Sequence, residues 1–270
     1  MRLAGLQKLT LLDYPGEVAC TVFTQGCNLR CPFCQNPGLV LPELFDESEG
    51  ITEEEFFDFL GRRRGRLFAV AITGGEPTLH RDLPDFLAKI RQMGYLVKLD
   101  TNGLNPEVLS KILETSLVNY VAMDVKNSPG KYALTCGVKE EETVKDSPSG
   151  DTIMDTISSG NDTADGSSAG LWKRAARSIA LLKKASIDCE FRTTVVTGLH
   201  TVEDIREIAG ILAGPRPWYL QQFREGVEGG SLVGTVSHCG LEMTTPARKV
   251  LEEMKAAAQE LVPNVSIRGI

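Results

Sequence analysis

Val18-Ala19-Cys20-Thr21-Val22-Phe23-Thr24 is a β-branched and apolar run that passes without a break into Gln25-Gly26-Cys27-Asn28-Leu29-Arg30-Cys31-Pro32-Phe33-Cys34. The first segment predicts a buried strand, and the second predicts a tight loop carried at that strand's carboxyl end. The arrangement repeats downstream. Strands are predicted over 18–24, 67–72, 95–100, 119–125, 188–196 and 218–223, and helical periodicity over about 53–63, 83–93, 106–115, 171–185 and 201–212. A last helix is predicted over about 246–261, after Pro246. Thr52 and Glu55 have the spacing of a capping box, and Leu171, Ala175, Ile179 and Leu182 would form one buried stripe. Strands alternating with helices imply successive βα units on a parallel sheet, here a partial (β/α)6 TIM-type barrel with its chemistry at the carboxyl ends of the strands. At 270 residues, one domain spanning 1–270 is the expectation.

Composition narrows the functional class. The chain is 42% hydrophobic and 24% charged, enough apolar material for an ordinary core. A net charge of −7 argues against a broad grip on a nucleic-acid backbone, so no nucleic-acid partner is expected. Arg62, Arg63, Arg64 and Arg66 form the one dense basic cluster and are read as the end of the helix that begins near Thr52, where cations suit the helix dipole. Leu67 to Ile72 is far shorter than the roughly 20 apolar residues of a membrane span, and Arg2, Lys8 and Asp13 spoil a signal peptide. A cytoplasmic protein with no membrane association is expected. Residues 139–170 break the pattern, being rich in Ser, Gly, Asp, Thr and Glu, and are read as a mobile insertion. It is either disordered decoration or, from its place after the strand ending at Val125, a lid whose deletion would slow substrate turnover alone.

Seven cysteines without an export signal read as reduced thiols or metal ligands rather than as a disulfide framework. Cys27, Cys31 and Cys34 are spaced C-x3-C-x2-C. Thiolates suit zinc or iron–sulfur clusters, and closed structural sites of either kind use four protein ligands. No fourth is evident. Cys20, Cys136, Cys189 and Cys239 are scattered and read as small buried hydrophobes, while His80, His200 and His238 lack metal spacing. A three-ligand cluster leaves one iron for an exogenous ligand, which points to chemistry rather than scaffolding. A zinc knuckle or a simple electron carrier is the competing reading.

The cysteine spacing, with Phe33 before the last cysteine, resembles the radical S-adenosylmethionine superfamily. That resemblance implies one [4Fe–4S] cluster on Cys27, Cys31 and Cys34 and a bound S-adenosylmethionine, split on reduction into methionine and a 5′-deoxyadenosyl radical. It also places Phe33 beside the adenine. Thr73-Gly74-Gly75-Glu76-Pro77 resembles the family's GGEP motif, so Gly74, Gly75, Glu76 and Pro77 are implied to receive the cofactor's ammonium group. The strand ends Lys98-Leu99-Asp100-Thr101-Asn102-Gly103, Ala122-Met123-Asp124-Val125-Lys126 and Arg192-Thr193-Thr194 are similar to those of glycyl-radical-enzyme activases. Cofactor contacts carry over to Asn102, Asp124, Lys126 and Arg192, and a monovalent cation site to Asp100, Thr101 and Asp124.

The opening Gly5-Leu6-Gln7-Lys8-Leu9-Thr10-Leu11-Leu12-Asp13-Tyr14-Pro15-Gly16 is similar to the activating proteins of anaerobic ribonucleoside-triphosphate reductase. The implied activity is removal of a hydrogen from the Cα of a glycine in that reductase, with electrons from a flavodoxin- or ferredoxin-type donor. Residues 35–66 contain no cysteine, so a single cluster is expected. The alternatives are an activase of another glycyl radical enzyme, a radical enzyme acting on a small molecule, and a non-catalytic iron–sulfur electron carrier.

Overall fold

The computed structural model describes residues 1–45, 50–138, 168–225 and 242–269. One eight-stranded sheet runs in sequence order: β1 (Leu3–Thr10), β2 (Ala19–Thr24), β3 (Ala69–Gly74), β4 (Leu96–Thr101), β5 (Tyr120–Asp124), β6 (Asp188–Val195), β7 (Trp218–Gln222) and β8 (Val265–Arg268). β1 pairs antiparallel with β2, every later pairing is parallel, and β1 and β8 remain edges. The sheet is therefore an open barrel, with the six expected strands at its centre and one further strand on each side.

The helices are α1 (Pro37–Val40), α2 (Glu53–Arg63), α3 (Leu83–Gln92), α4 (Pro106–Glu114), α5 (Tyr132–Cys136), α6 (Ser168–Lys184), α7 (Val202–Leu212) and α8 (Arg248–Gln259). Thr52 and Glu55 do form the capping box: Glu55 N donates to Thr52 Oγ1 (3.1 Å), and Thr52 N donates to Glu55 Oε2 (2.8 Å). Ala175, Ile179 and Leu182 are buried as one stripe of α6, with Leu171 partly covered. Helix α6 starts at Ser168, so 168–170 belong to a helix rather than to the insertion. The rest of that insertion, the lid reading, Cys239 and His238 lie outside the described residues. Among the described residues no helix is long and apolar enough to cross a membrane.

The alternation of side chains along each strand sorts the chain into two chemistries. Outward-facing Val70, Ile72, Val97, Leu99, Val121, Met123, Phe191 and Leu220 are buried in a core with Phe56, Leu60, Leu87, Ile90, Ile205 and Leu251. The inward face carries charge. Glu190, 1% exposed, receives Arg268 bidentately (3.0 and 3.2 Å) and the Tyr120 hydroxyl (2.7 Å). Arg268 comes from β8, a four-residue strand without sequence signal that thus neutralises a buried carboxylate.

Candidate active site

The carboxyl ends of the parallel strands open into a cleft of about 280 Å3. Cys27, Cys31, Phe33 and Cys34 line one side, Gly74, Gly75 and Glu76 another, and Asp100, Thr101, Asn102, Asp124, Lys126 and Arg192 the floor. Pro77 is buried at the start of the short 3-10 turn Pro77–Leu79 and does not border the cleft. Asn36, Thr194 and Gln221 border it without having been singled out in the sequence.

The two glycines act on the protein itself. A Cβ on Gly75 would lie 1.9 Å from the Gly26 carbonyl oxygen, and one on Gly74, whose φ is +117°, would lie 2.4 Å from Thr24 backbone atoms. Gly75 N donates to Thr24 O (2.9 Å) and Glu76 N to Gly26 O (2.8 Å). Side-chain-free backbone on β3 thus lets the start of the cysteine loop pack directly on it. Gly75→Ala should destabilise the protein by about 1–3 kcal/mol, the range for forced overpacking. A lowered urea midpoint and impaired cluster loading in one variant would show the coupling.

Glu76 is fully buried and accepts four hydrogen bonds: from Thr78 N (3.1 Å), Thr78 Oγ1 (2.5 Å), Thr101 Oγ1 (2.8 Å) and Asn102 N (2.6 Å). Burial pushes its carboxyl up, against the pull of those donors. Its carboxylate binds the β3 loop to the β4 loop. Asn102 continues the chain, since its Nδ2 donates to Asn28 Oδ1 (2.8 Å) within the cysteine loop.

Register sets the floor. Asp124 on β5 lies opposite Arg192 on β6, whose Nε donates to Asp124 Oδ1 (2.8 Å) and whose Nη1 donates to Asp100 Oδ2 (3.0 Å). Lys126 Nζ donates to Asp124 Oδ2 (2.9 Å). In spite of burial, the Arg192 and Lys126 charges beside it hold the Asp124 carboxyl far below the usual range, and both cations are stabilised in return. Lys126 is itself positioned by His200, a buried residue that sequence spacing did not connect to the site. Val196 N donates to His200 Nδ1 (3.2 Å), which leaves Nε2 to donate to the Lys126 carbonyl (2.8 Å).

None of the three cysteines of the loop is paired in a disulfide. Burial pushes Cys27 up to about 12 and raises Cys34. A hydrogen bond shared with Cys136 lowers Cys31 instead. Cys136 ends helix α5 directly behind the loop, where its carbonyl accepts Arg30 N (3.0 Å), and its own thiol is raised well above normal by burial. It is a small buried residue, as its isolation in sequence implied, but one that touches the ligand loop. Among the described residues, no three His, Cys, Asp or Glu side chains converge on a point suited to a single metal ion. Three soft donors on one wall of the cleft suit a cluster that leaves one iron for another ligand.

An open α/β barrel with three thiols at the carboxyl end of its first parallel strand and a charged floor opposite defines an iron–sulfur enzyme that presents a ligand to its cluster. Residues 21–212 match the family model described as the Radical SAM superfamily. The chain belongs to that superfamily, and the family implies a [4Fe–4S] cluster and S-adenosylmethionine. A Methanocaldococcus jannaschii protein named as a candidate glycyl-radical enzyme activating enzyme is 31% identical over 271 residues, 99% of this chain and 95% of that protein. The pyruvate formate-lyase-activating enzyme of Listeria monocytogenes is 29% identical over 147 residues, 48% of this chain and 56% of its own. A radical SAM methyltransferase from Sphaerobacter thermophilus shares the fold with a TM-score of 0.61 at 13% identity, over 96% of this chain and 68% of that one.

Proposed function

We propose that this protein is a radical S-adenosylmethionine activase that installs a glycyl radical on a partner enzyme, the anaerobic ribonucleoside-triphosphate reductase. The observation that carries the activase reading is the match over nearly the whole length of both chains to the Methanocaldococcus jannaschii protein named as a candidate activating enzyme. The opening block Gly5 to Gly16, similar to the reductase activators, supports the choice of partner. The match to a pyruvate formate-lyase activator favours a second reading, in which the partner is another glycyl radical enzyme.

Cys27, Cys31 and Cys34 would hold the cluster, which when bound and reduced supplies the electron that cleaves the cofactor's sulfonium. Phe33, at the cleft wall, offers a face against which an adenine can stack. The carbonyls of Gly74 and Gly75 would accept from the cofactor's ammonium. Arg192 and Lys126 present positive charge to its carboxylate, with Asp124 keeping both oriented.

Anaerobic, cluster-reconstituted protein with a flavodoxin- or ferredoxin-type donor and S-adenosylmethionine should produce a glycyl radical doublet in the reductase by electron paramagnetic resonance. Release of 5′-deoxyadenosine with no radical in the reductase, but with one in another glycyl radical enzyme, would establish the second reading. Absence of any 5′-deoxyadenosine would reject both.

A further inference from the structure

The sequence resemblance places a monovalent cation among Asp100, Thr101 and Asp124, and side-chain cations of the chain itself stand against both carboxylates there. Asp100 Oδ1 lies 3.0 Å from Lys98 Nζ, and Asp100 Oδ2 lies 3.0 Å from Arg192 Nη1. Asp124 Oδ1 faces Arg192 Nε at 2.8 Å, and Asp124 Oδ2 faces Lys126 Nζ at 2.9 Å. All four carboxylate oxygens have a side-chain cation within 3.0 Å, although Asp100 Oδ1, which is buried, receives no hydrogen bond. The Thr101 hydroxyl is turned away, donating to Glu76 and accepting from Gly103 N (3.1 Å). Two carboxylates face three side-chain cations, so the site carries its own positive charge before any ion is added. The residues do not fit an exchangeable cation.

Lys98 explains why. It stands two residues before Asp100 on β4, on the same face, and its side chain is only 5% exposed. A lysine so deeply buried has to be paired. Its ammonium donates to the Asp13 carbonyl (2.6 Å), contacts Asp100, and sits 5.9 Å from the centre of the Tyr120 ring. A carbonyl oxygen, a carboxylate oxygen and an aromatic face make the kind of hard, electron-rich surroundings that an alkali ion also favours. Asp13 is fixed for this purpose: its carboxylate accepts Thr21 Oγ1 (2.5 Å), and its N–H donates to Thr10 Oγ1 (3.3 Å). The bend between β1 and β2 thus ends on the ammonium of Lys98.

We propose that Lys98 is a built-in counter-cation that takes the place of an exchangeable alkali ion, so that this protein binds S-adenosylmethionine without sodium or potassium. Lys98 acts as a positioning residue: it fixes Asp100, Asp100 fixes Arg192, and Arg192 meets the cofactor. The last link rests on the proposed cofactor contacts, whereas the substitution of lysine for an ion does not.

Two measurements on cluster-loaded protein test this, in tetramethylammonium buffer and in potassium buffer of equal ionic strength. Equilibrium dialysis with rubidium-86 should detect no bound ion in the wild type. Its S-adenosylmethionine affinity should differ between the two buffers by less than about twofold. Lys98→Gln should bind cofactor about tenfold more weakly in tetramethylammonium and regain most of that in potassium, a rescue that a purely structural role would not give. Stoichiometric rubidium on the wild type, or loss of its cofactor affinity without alkali ions, would overturn the proposal, and both are read on the wild type even where Lys98→Gln fails to fold. Absence of cofactor binding in either buffer would reject the proposed contacts, while the rubidium result would still decide the role of Lys98.

Discussion

Cys31→Ala should lose its cluster absorbance and all cleavage of S-adenosylmethionine, and reconstitution with iron and sulfide should restore neither. The loop offers three thiols to the cleft, so removing one leaves two ligands for a cluster that already has one iron without a protein ligand. Cys31 is also the most buried of the three thiols. It is 7% exposed, close to Cys136, and followed by a turn in which Cys34 N donates to its carbonyl (3.0 Å). The proximity of Cys136 makes a control necessary, because a displaced loop could recruit that thiol. Cys31→Ala combined with Cys136→Ala should behave as the single variant does. Cleavage that survives in the single variant and disappears in the double would make Cys136 a substitute ligand. Survival in both would overturn the assignment of the cluster to this loop.

Arg192→Leu removes the cation between Asp100 and Asp124. Breaking a buried ion pair from one side costs about 3–5 kcal/mol. The lower end applies, because Asp124 keeps 31% of its side chain exposed and each carboxylate retains one lysine. The sign of the pH dependence follows from the direction of the Asp124 shift. A carboxyl held below its unfolded value stabilises the folded state above that value, about pH 4, and loses the contribution as pH falls towards the folded one. The deficit of Arg192→Leu is therefore full at neutral pH and shrinks under acid, which urea midpoints of wild type and variant between about pH 3 and pH 8 would measure. Cofactor binding should fall with stability, since the same guanidinium faces the cleft. An unchanged midpoint at neutral pH would mean that the two lysines alone suffice.

The six central strands and the helices between them were legible because outward-facing apolar residues repeat with the period of each element, and the Thr52 capping box marks a helix start in four residues. β1 and β8 were not. β1 is an edge strand interrupted by Gly5 and Lys8, with several exposed positions, and β8 is four residues long. Neither has the alternation that burial on one face imposes. The functional loop was legible for a different reason, since three thiolates at fixed spacing have few other uses.

Sequence by itself determined which donors exist and at which strand ends they stand: three thiols after β2, two glycines at the end of β3, and Asp124 with Lys126 at the end of β5. Only the tertiary structure decided what those groups face. Gly74 and Gly75 prove to be contacts for the cysteine loop, Glu76 a clasp between two loops, and Asp100 a partner of Lys98 and Arg192. The reason is that hydrogen-bond and ion-pair partners on neighbouring strands are set by register and side-chain direction. Lys98 lies 85 residues from Asp13, and no local pattern brings an ammonium and a carbonyl together over that distance.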